Sequence, residues 1–355
     1  MAGLVCARAI GDRLPGAALH LFDTRPAEPH PTRTFCFFGG AELDLGVTPA
    51  KRWGRVQFAG EGFRRTVDCG DTPYTLVRGD DFFRYAMRTL IDRGVEFTWS
   101  CRSVEIATAG VVVDGERRPF DVVIDAAFGA AGCAPVVWQS FAGIVVETAE
   151  PSFDPTEAIV MDLLPSSVDA PVEFVYVLPL SSTEALVEHT TFSRKPRDPV
   201  EHVAGARAWL SRRGIVVRRE ISRENGAIPM GLTPVERTPW PVVGTMGGAV
   251  RAGTGYGFIG IHRQAAALAG ELAVAGRLSH GWRFDPTPFV LRLGDGLFLR
   301  ALRRAPLAGR DLLTGILRHA RDRDIVAFLG GSAGVGQSLR VMGRVPKLTM
   351  VRALW

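Results

Sequence analysis

The chain has 355 residues, 46% of them hydrophobic and 22% charged, with a mean hydropathy of +0.11 and a formal net charge of +5. That length holds one large or two interleaved domains around a sizeable core, and no window supplies the roughly 18 to 20 uninterrupted apolar residues of a spanning helix. Cys6, Cys36, Cys69, Cys101 and Cys133 are scattered without CxxC or Cys/His ligand spacing, which argues for a reduced, cytoplasmic setting and against a structural metal. No charged segment followed by an apolar core marks a secretory signal.

In chain order, residues 4–10 carry an apolar helical pattern, 11–16 a glycine-bounded turn, and 17–23 a strand pattern ending in Asp23. Helix, turn, strand and terminal acid make the second half of a dinucleotide-binding βαβ unit, whose acid about 20 residues past the glycine loop hydrogen-bonds the adenosine ribose. Gly3 and Asp23 have that spacing. The first strand and the first two glycines of G-x-G-x-x-G are missing, so the chain is expected to start inside the motif, as if Met1 were an internal codon. Residues 119–127, after a strand at 111–113 and a turn at Asp114-Gly115, read as a strand ending at Asp125. It is either a return to the adenosine side of a dinucleotide or a buried parallel strand with an incidental acid.

Residues 174–193 are two apolar, β-branched runs joined by Ser181-Ser182-Thr183, a hairpin pattern whose second run carries Glu188. Pointing outward, Glu188 is a solvated charge; pointing inward, it is an acid whose ionised form desolvation disfavours. Gly253, Thr254, Gly255 and Tyr256 precede a helical pattern at 258–275, which offers backbone N–H groups and a positive dipole end to an anion, or serves only as a tight turn. Residues 292–355 carry twelve Lys and Arg against four Asp, a surplus of eight that leaves the preceding part at −3. Their apolar residues fall at helical spacings, so this basic tail suits an anionic membrane surface or is an ordinary solvated helix face. Without a recognisable module or interleaved aromatics, it does not suit nucleic acid.

Five segments in order carry a family resemblance: Trp138-Gln139-Ser140-Phe141-Ala142-Gly143 with Phe153-Asp154-Pro155 and Met161-Asp162; the hairpin at 174–193; Glu224-Asn225-Gly226-Ala227-Ile228-Pro229; Gly253-Thr254-Gly255-Tyr256; and 323–331. Together they resemble the flavin-dependent lycopene cyclases of the bacterial β-cyclase type, along nearly the whole chain. The resemblance implies an α/β, Rossmann-like FAD-binding fold of the two-dinucleotide-binding-domain type, with an inserted antiparallel β-sheet substrate domain and a helical C-terminal region. It divides the chain into a nucleotide part (1–45, 78–135, 224–275), a polyene part (46–77, 136–223) and the basic tail (276–355).

It also implies an acid-catalysed, non-redox isomerisation in which the linear ends of lycopene close to β-ionone rings. Reduced FAD would stabilise the carbocation, NAD(P)H would serve as reductant, and the protein would sit peripherally on the membrane. Glu188 becomes the proton donor, with His189 and Thr190 beside it; Gly3, Asp23, Asp125, Gly253, Thr254, Gly255 and Tyr256 become cofactor contacts. Where the family strand has a second acid this chain has His189, so Glu188 acts alone or with the imidazole, and a glutamate at 189 is expected to be tolerated. The proline that usually precedes the family's T-G-Y loop is Ala252. Given its incomplete motif, the 355-residue form is expected to retain little FAD. Two other classes fit the same pattern, an FAD-dependent isoprenoid reductase or hydroxylase and a non-catalytic carotenoid-binding remnant.

Overall fold

The structure, a computed structural model, describes residues 1–28, 33–40, 43–129, 134–232, 240–279 and 281–345. Cys133 and the last basic residues of the tail, Lys347 and Arg352, lie outside the described residues. The chain opens with α1 (Ala2–Arg13) and β1 (His20–Phe22), followed by β2 (Thr34–Phe38), β3 (Lys51–Trp53), β4 (Arg55–Gly60), β5 (Phe63–Asp68) and β6 (Tyr74–Arg78). Helix α2 (Gly79–Asp92) has Asp80 and Asp81 in its first turn, where the dipole favours acids. The short strands β7 (Glu96–Thr98), β8 (Val104–Ala107), β9 (Gly110–Val113) and β10 (Glu116–Pro119) come next.

The long strands are β11 (Val137–Thr148), β12 (Glu157–Leu163), β13 (Val172–Pro179), β14 (Glu184–Ser193) and β15 (Val217–Met230). Between the last two runs α3 (Pro199–Arg212), started by Pro199 and by Asp198 accepting from the Val200 amide. After β15 come α4 (Phe258–Ala275), closed by left-handed Gly276, and the tail helices α5 (Phe289–Arg304), α6 (Pro306–His319), α7 (Asp322–Gly330) and α8 (Val335–Met342).

Two layers position the site. In the first, β1 pairs in parallel with β7, and α1 packs on α4 through Val5, Ile10, Ala265 and Leu268. The sequence expects a strand at 119–127; the structure has only a single parallel bridge there, Asp125 to Val242. No described strand lies on the other side of Asp125, so no ladder extends the pairing. The second layer is a seven-stranded sheet in the order β15-β11-β14-β13-β12-β4-β5. Residues 224–230, grouped from sequence with the nucleotide part, are the second half of β15 and pair with β11 in this sheet.

Alternation along the strands gives this sheet two apolar faces. On one, Ile144, Val146, Val175 and Val187 pack against Ala206, Trp209 and Leu210 of α3. On the other, Phe174, Tyr176, Leu186 and Phe192 join Phe38, Trp53 and Tyr74 and the tail residues Leu299, Leu317 and Ile325. The hairpin at 174–193 is present, with Val172 opposite Phe192 through to Pro179 opposite Ala185.

Candidate active site

One row of the sheet holds the chemistry. Across neighbouring strands, Tyr176 on β13 stands opposite Glu188 on β14, Glu188 opposite Gly143 on β11, and Gly143 opposite Glu224 on β15. Residues in one row share a face, so Glu188 and Glu224 rise from the same side with only a glycine between them. A Cβ at Gly143 would stand 3.0 Å from the Glu188 Cβ and 2.8 Å from Leu186 Cδ1, so the missing side chain is what lets the two carboxyls meet. They lie within hydrogen-bonding reach of each other.

The two acids have unequal surroundings. Burial first, then the neighbouring Glu224 charge, pushes the Glu188 carboxyl well above the ordinary carboxylate range; the Thr190 hydroxyl, donating at 3.3 Å, only partly opposes this. Glu224 is raised by the same burial, but Thr34 donates to it from its hydroxyl at 2.5 Å and from its backbone N–H, and the Arg33 charge favours the anion. Of the two, Glu188 therefore holds its proton the more strongly, and Glu224 is the better place for a charge.

Around the pair sit neutral groups. Burial, reinforced by the two glutamates, pushes the Cys36 thiol well up, and Tyr74 and Tyr176 are pushed well above the ordinary phenol range by burial and by Tyr256. Tyr256 is held at about 12 by burial and donates to the Tyr74 hydroxyl at 3.4 Å. Thus Glu188, Thr190 and Tyr256 come together as a cluster, completed by Glu224, Thr34, Cys36, Tyr74 and Tyr176. A cavity of about 40 Å³ touches Tyr256, and a cleft of about 510 Å³ opens beyond Val136 and Pro229, bounded by Ala252, Leu299, Arg300 and Arg303.

His189 is not part of it. As the neighbour of Glu188 on a strand it points to the opposite face, beneath α3, where its ring approaches His202 Nδ1 at 2.9 Å and Glu173 at 3.0 Å. Gly205 gives it room, since a Cβ there would meet the ring at 2.7 Å. His202, in turn bonded to Ser140 at 3.1 Å, is lowered to about 4 by burial and the nearby His189 and Arg197 charges.

The nucleotide-side residues form a second group. A Cβ at Gly3 in α1 would stand 3.5 Å from Ala126 Cβ and 3.9 Å from Leu21 Cδ2, so Gly3 lies beside the Asp125 turn. The Asp125 carboxylate accepts from the Ala127 N–H at 2.9 Å, and Asp23 is tied to Arg25 through the backbone and guanidinium. Arg25 and Arg33 flank the N-terminal end of α1. Two guanidiniums at a helix N-terminus are a donor set that fits a pyrophosphate.

The loop 253–256 is fixed from the tail: Arg251, buried, pairs with Asp295 of α5 at 2.9 and 3.0 Å, and Gly255 has φ +74. Gly255 packs on Gln139, whose buried Oε1 has no partner among the described residues, leaving an acceptor free beside this loop. An amide-rich group such as a flavin ring fits that donor and acceptor set.

Glu224, Thr34, Cys36 and Tyr74 were not singled out as site residues from the sequence. The available signal was the E-x-G-x-I-P block, whose single acid is Glu224.

The layers define the class of protein as a Rossmann-type α/β fold with an antiparallel sheet and C-terminal helices, the fold of the solved structures named below. A family model described as lycopene cyclase protein matches residues 1–354, and the chain belongs to that family. No curated protein matches it. Among solved structures it is similar to a geranylgeranyl bacteriochlorophyll reductase-like protein from Thermoplasma acidophilum, with TM-score 0.63 and 14% identity over 99% of this chain and 95% of that one. It is also similar to CtdE in complex with FAD and a substrate (TM-score 0.59, 12% identity, 99% and 96% covered). A third is the Diels-Alderase PyrE3 of pyrroindomycin biosynthesis (TM-score 0.57, 17% identity, 94% and 79% covered).

Proposed function

We propose that the chain is a lycopene cyclase acting as a non-redox isomerase: it protonates a linear end of lycopene, or a related carotene, and closes that end to a β-ionone ring, giving γ-carotene or β-carotene. The observation that carries this is Glu188, a half-buried acid that shares an apolar face of the sheet with a second carboxyl, Glu224, and whose desolvation favours the protonated form. Cyclisation of a polyene end needs a proton delivered to the terminal double bond where water does not compete, and a neutral carboxylic acid in a dry site supplies it. Thr190 orients that acid, while Phe174, Phe192 and Leu186 form apolar walls around it.

In this reading Gly3, Asp23 and Asp125, with Arg25 and Arg33, hold the adenosine and pyrophosphate end of FAD, and Gly253, Thr254, Gly255 and Tyr256 with Gln139 hold its ring. When bound in reduced form, kept so by NAD(P)H, FAD supplies negative charge that stabilises the carbocation. His189 has a positioning role for α3, not for the acid. The fold alone does not choose between redox and non-redox chemistry, since its structural neighbours include proteins named as a reductase and as a Diels-Alderase.

The test is Glu188→Gln in lycopene-accumulating bacteria. Gln keeps the shape and loses the acid, so cyclised pigment is expected to fall by about a hundredfold to ten-thousandfold with the fold and any bound flavin retained. Near-normal cyclised carotene would move the proton donor elsewhere. Nicotinamide consumed in step with product would instead place the chain among the isoprenoid reductases or hydroxylases.

A further inference from the structure

We propose that Glu224 is the base that removes the ring proton and returns it to Glu188, so that the two glutamates facing each other across Gly143 form a closed proton relay. This rests on the cyclase reading above and goes beyond it, because a proton donor alone leaves the second half of the reaction without an acceptor.

The geometry restricts the choice of base. His189 is on the far side of the sheet, engaged with His202 and Glu173. On the site face, Tyr74, Tyr176, Tyr256 and Cys36 are kept neutral by burial, and the Thr34 and Thr190 hydroxyls donate to the glutamates. Of the two carboxyls, Glu224 is the one whose hydrogen bonds and neighbouring charge better accommodate an anion. Burial raises it, but its hydrogen bonds from Thr34 and its proximity to Arg33 favour the anion there over the anion at Glu188, where the Thr190 hydroxyl alone donates.

The step balances without an outside reagent. The Glu188 O–H bond breaks and a C–H bond forms at the end double bond, leaving a tertiary cation. The π electrons of an internal double bond form the ring C–C bond, which moves the charge to a ring carbon. A C–H bond beside that carbon breaks, its electrons become the ring double bond, and the proton goes to a Glu224 oxygen. Transfer across the hydrogen bond between the carboxyls then restores the starting pair. The carboxylate also offsets the passing positive charge.

The experiment compares Glu224→Gln, Glu224→Asp and Glu188→Gln, each purified with reduced FAD and given lycopene in D₂O. Glu224→Gln keeps an oxygen to accept from Glu188 but cannot take a proton. It is expected to lose at least about a hundredfold in cyclised product, while the recovered linear substrate gains deuterium in its end groups, because Glu188 still protonates the double bond and takes a proton back. Glu224→Asp, a shortened carboxylate, is expected to recover at least tenfold over Glu224→Gln. Glu188→Gln should give neither product nor label. Unlabelled linear substrate and no product from Glu224→Gln, or unchanged product yield and ring isomer, would overturn the relay. Near-normal product from Glu188→Gln would move the proton donor elsewhere and overturn the relay as well, whereas no cyclised product from the parent protein would remove the cyclase reading beneath it. Should Glu224→Gln fail to fold, Glu224→Asp at the level of a folded Glu188→Gln would overturn the relay by itself.

Discussion

At the scale of single residues, Glu188 could be found in the sequence because it interrupts an otherwise apolar strand, and such an acid is either solvated or functional. Its partner could not be found the same way. The residue next to an acid on a strand always faces the other side of the sheet, so position 189 was the wrong place to look for a second carboxyl. Glu224 lies two strands away, and its meeting with Glu188 depends on the registers of β14, β11 and β15 together with the absence of a side chain at Gly143. The same geometry reverses the expectation for position 189. His189→Glu would put a carboxylate beside the Glu173 carboxyl and break the bond to His202, with only Arg197, 3.7 Å from Glu173, to offset it. An extra buried like charge of this kind costs about 3 kcal/mol or more. Urea or guanidinium unfolding of the variant should show that loss as a lowered midpoint with little change in slope; an unchanged midpoint would mean that this pocket is wetter than its burial indicates.

At the scale of elements, α4 and the hairpin of β13 and β14 were legible because periodicity and turn residues agree locally. The strand at 119–127 was not, since a parallel strand exists only through its neighbours, and one bridge to Val242 is all that the described chain provides. Nor could the sequence place α5, which proves to be the clamp on the loop 253–256. Asp295 meets Arg251 through two hydrogen bonds, both side chains are about 5% exposed or less, and a Cβ at Gly253 would strike the Asp295 carboxylate at 2.3 Å. Arg251 also donates to the Phe328 and Leu329 carbonyls, so the loop, α5 and α7 share one buried cation. Removing one member of a buried pair leaves the other uncompensated, worth about 3 to 5 kcal/mol. Asp295→Ala should therefore lower the thermal midpoint by several degrees and, with the loop holding the flavin ring as proposed above, release flavin at lower temperature than in the parent protein. Flavin fluorescence during a melt reads both; coincident flavin release and unfolding at the parent midpoint would show that the clamp does not hold the loop.

At the scale of the whole molecule, the surplus of positive charge in the tail was visible from composition alone, but not how it would be displayed. The structure answers part of that. Phe289 and Leu293 on α5, and Val335 and Leu339 on α8, form two exposed i, i+4 apolar pairs on helices that touch each other. Arg292, Arg300, Arg303 and Arg304 lie along the same helix α5, all exposed. No single helix among the described residues is long and apolar enough to cross a membrane. Apolar side chains at intervals of one turn beside arginines are what an interfacial helix presents to anionic lipid, each basic residue near the surface adding about 1 kcal/mol. Neutralising two of them, as in Arg300→Gln with Arg303→Gln, should thus weaken binding to vesicles rich in anionic lipid by about 30-fold at low salt. The difference should shrink as salt screens the remaining charges. Phe289→Ser with Leu293→Ser should weaken binding at both high and low salt, because that contribution is apolar burial and not charge. Vesicle sedimentation at two ionic strengths separates the two effects, and equal binding by all three proteins would mean that the tail helices face water and that the carotene reaches the acid pair by another surface.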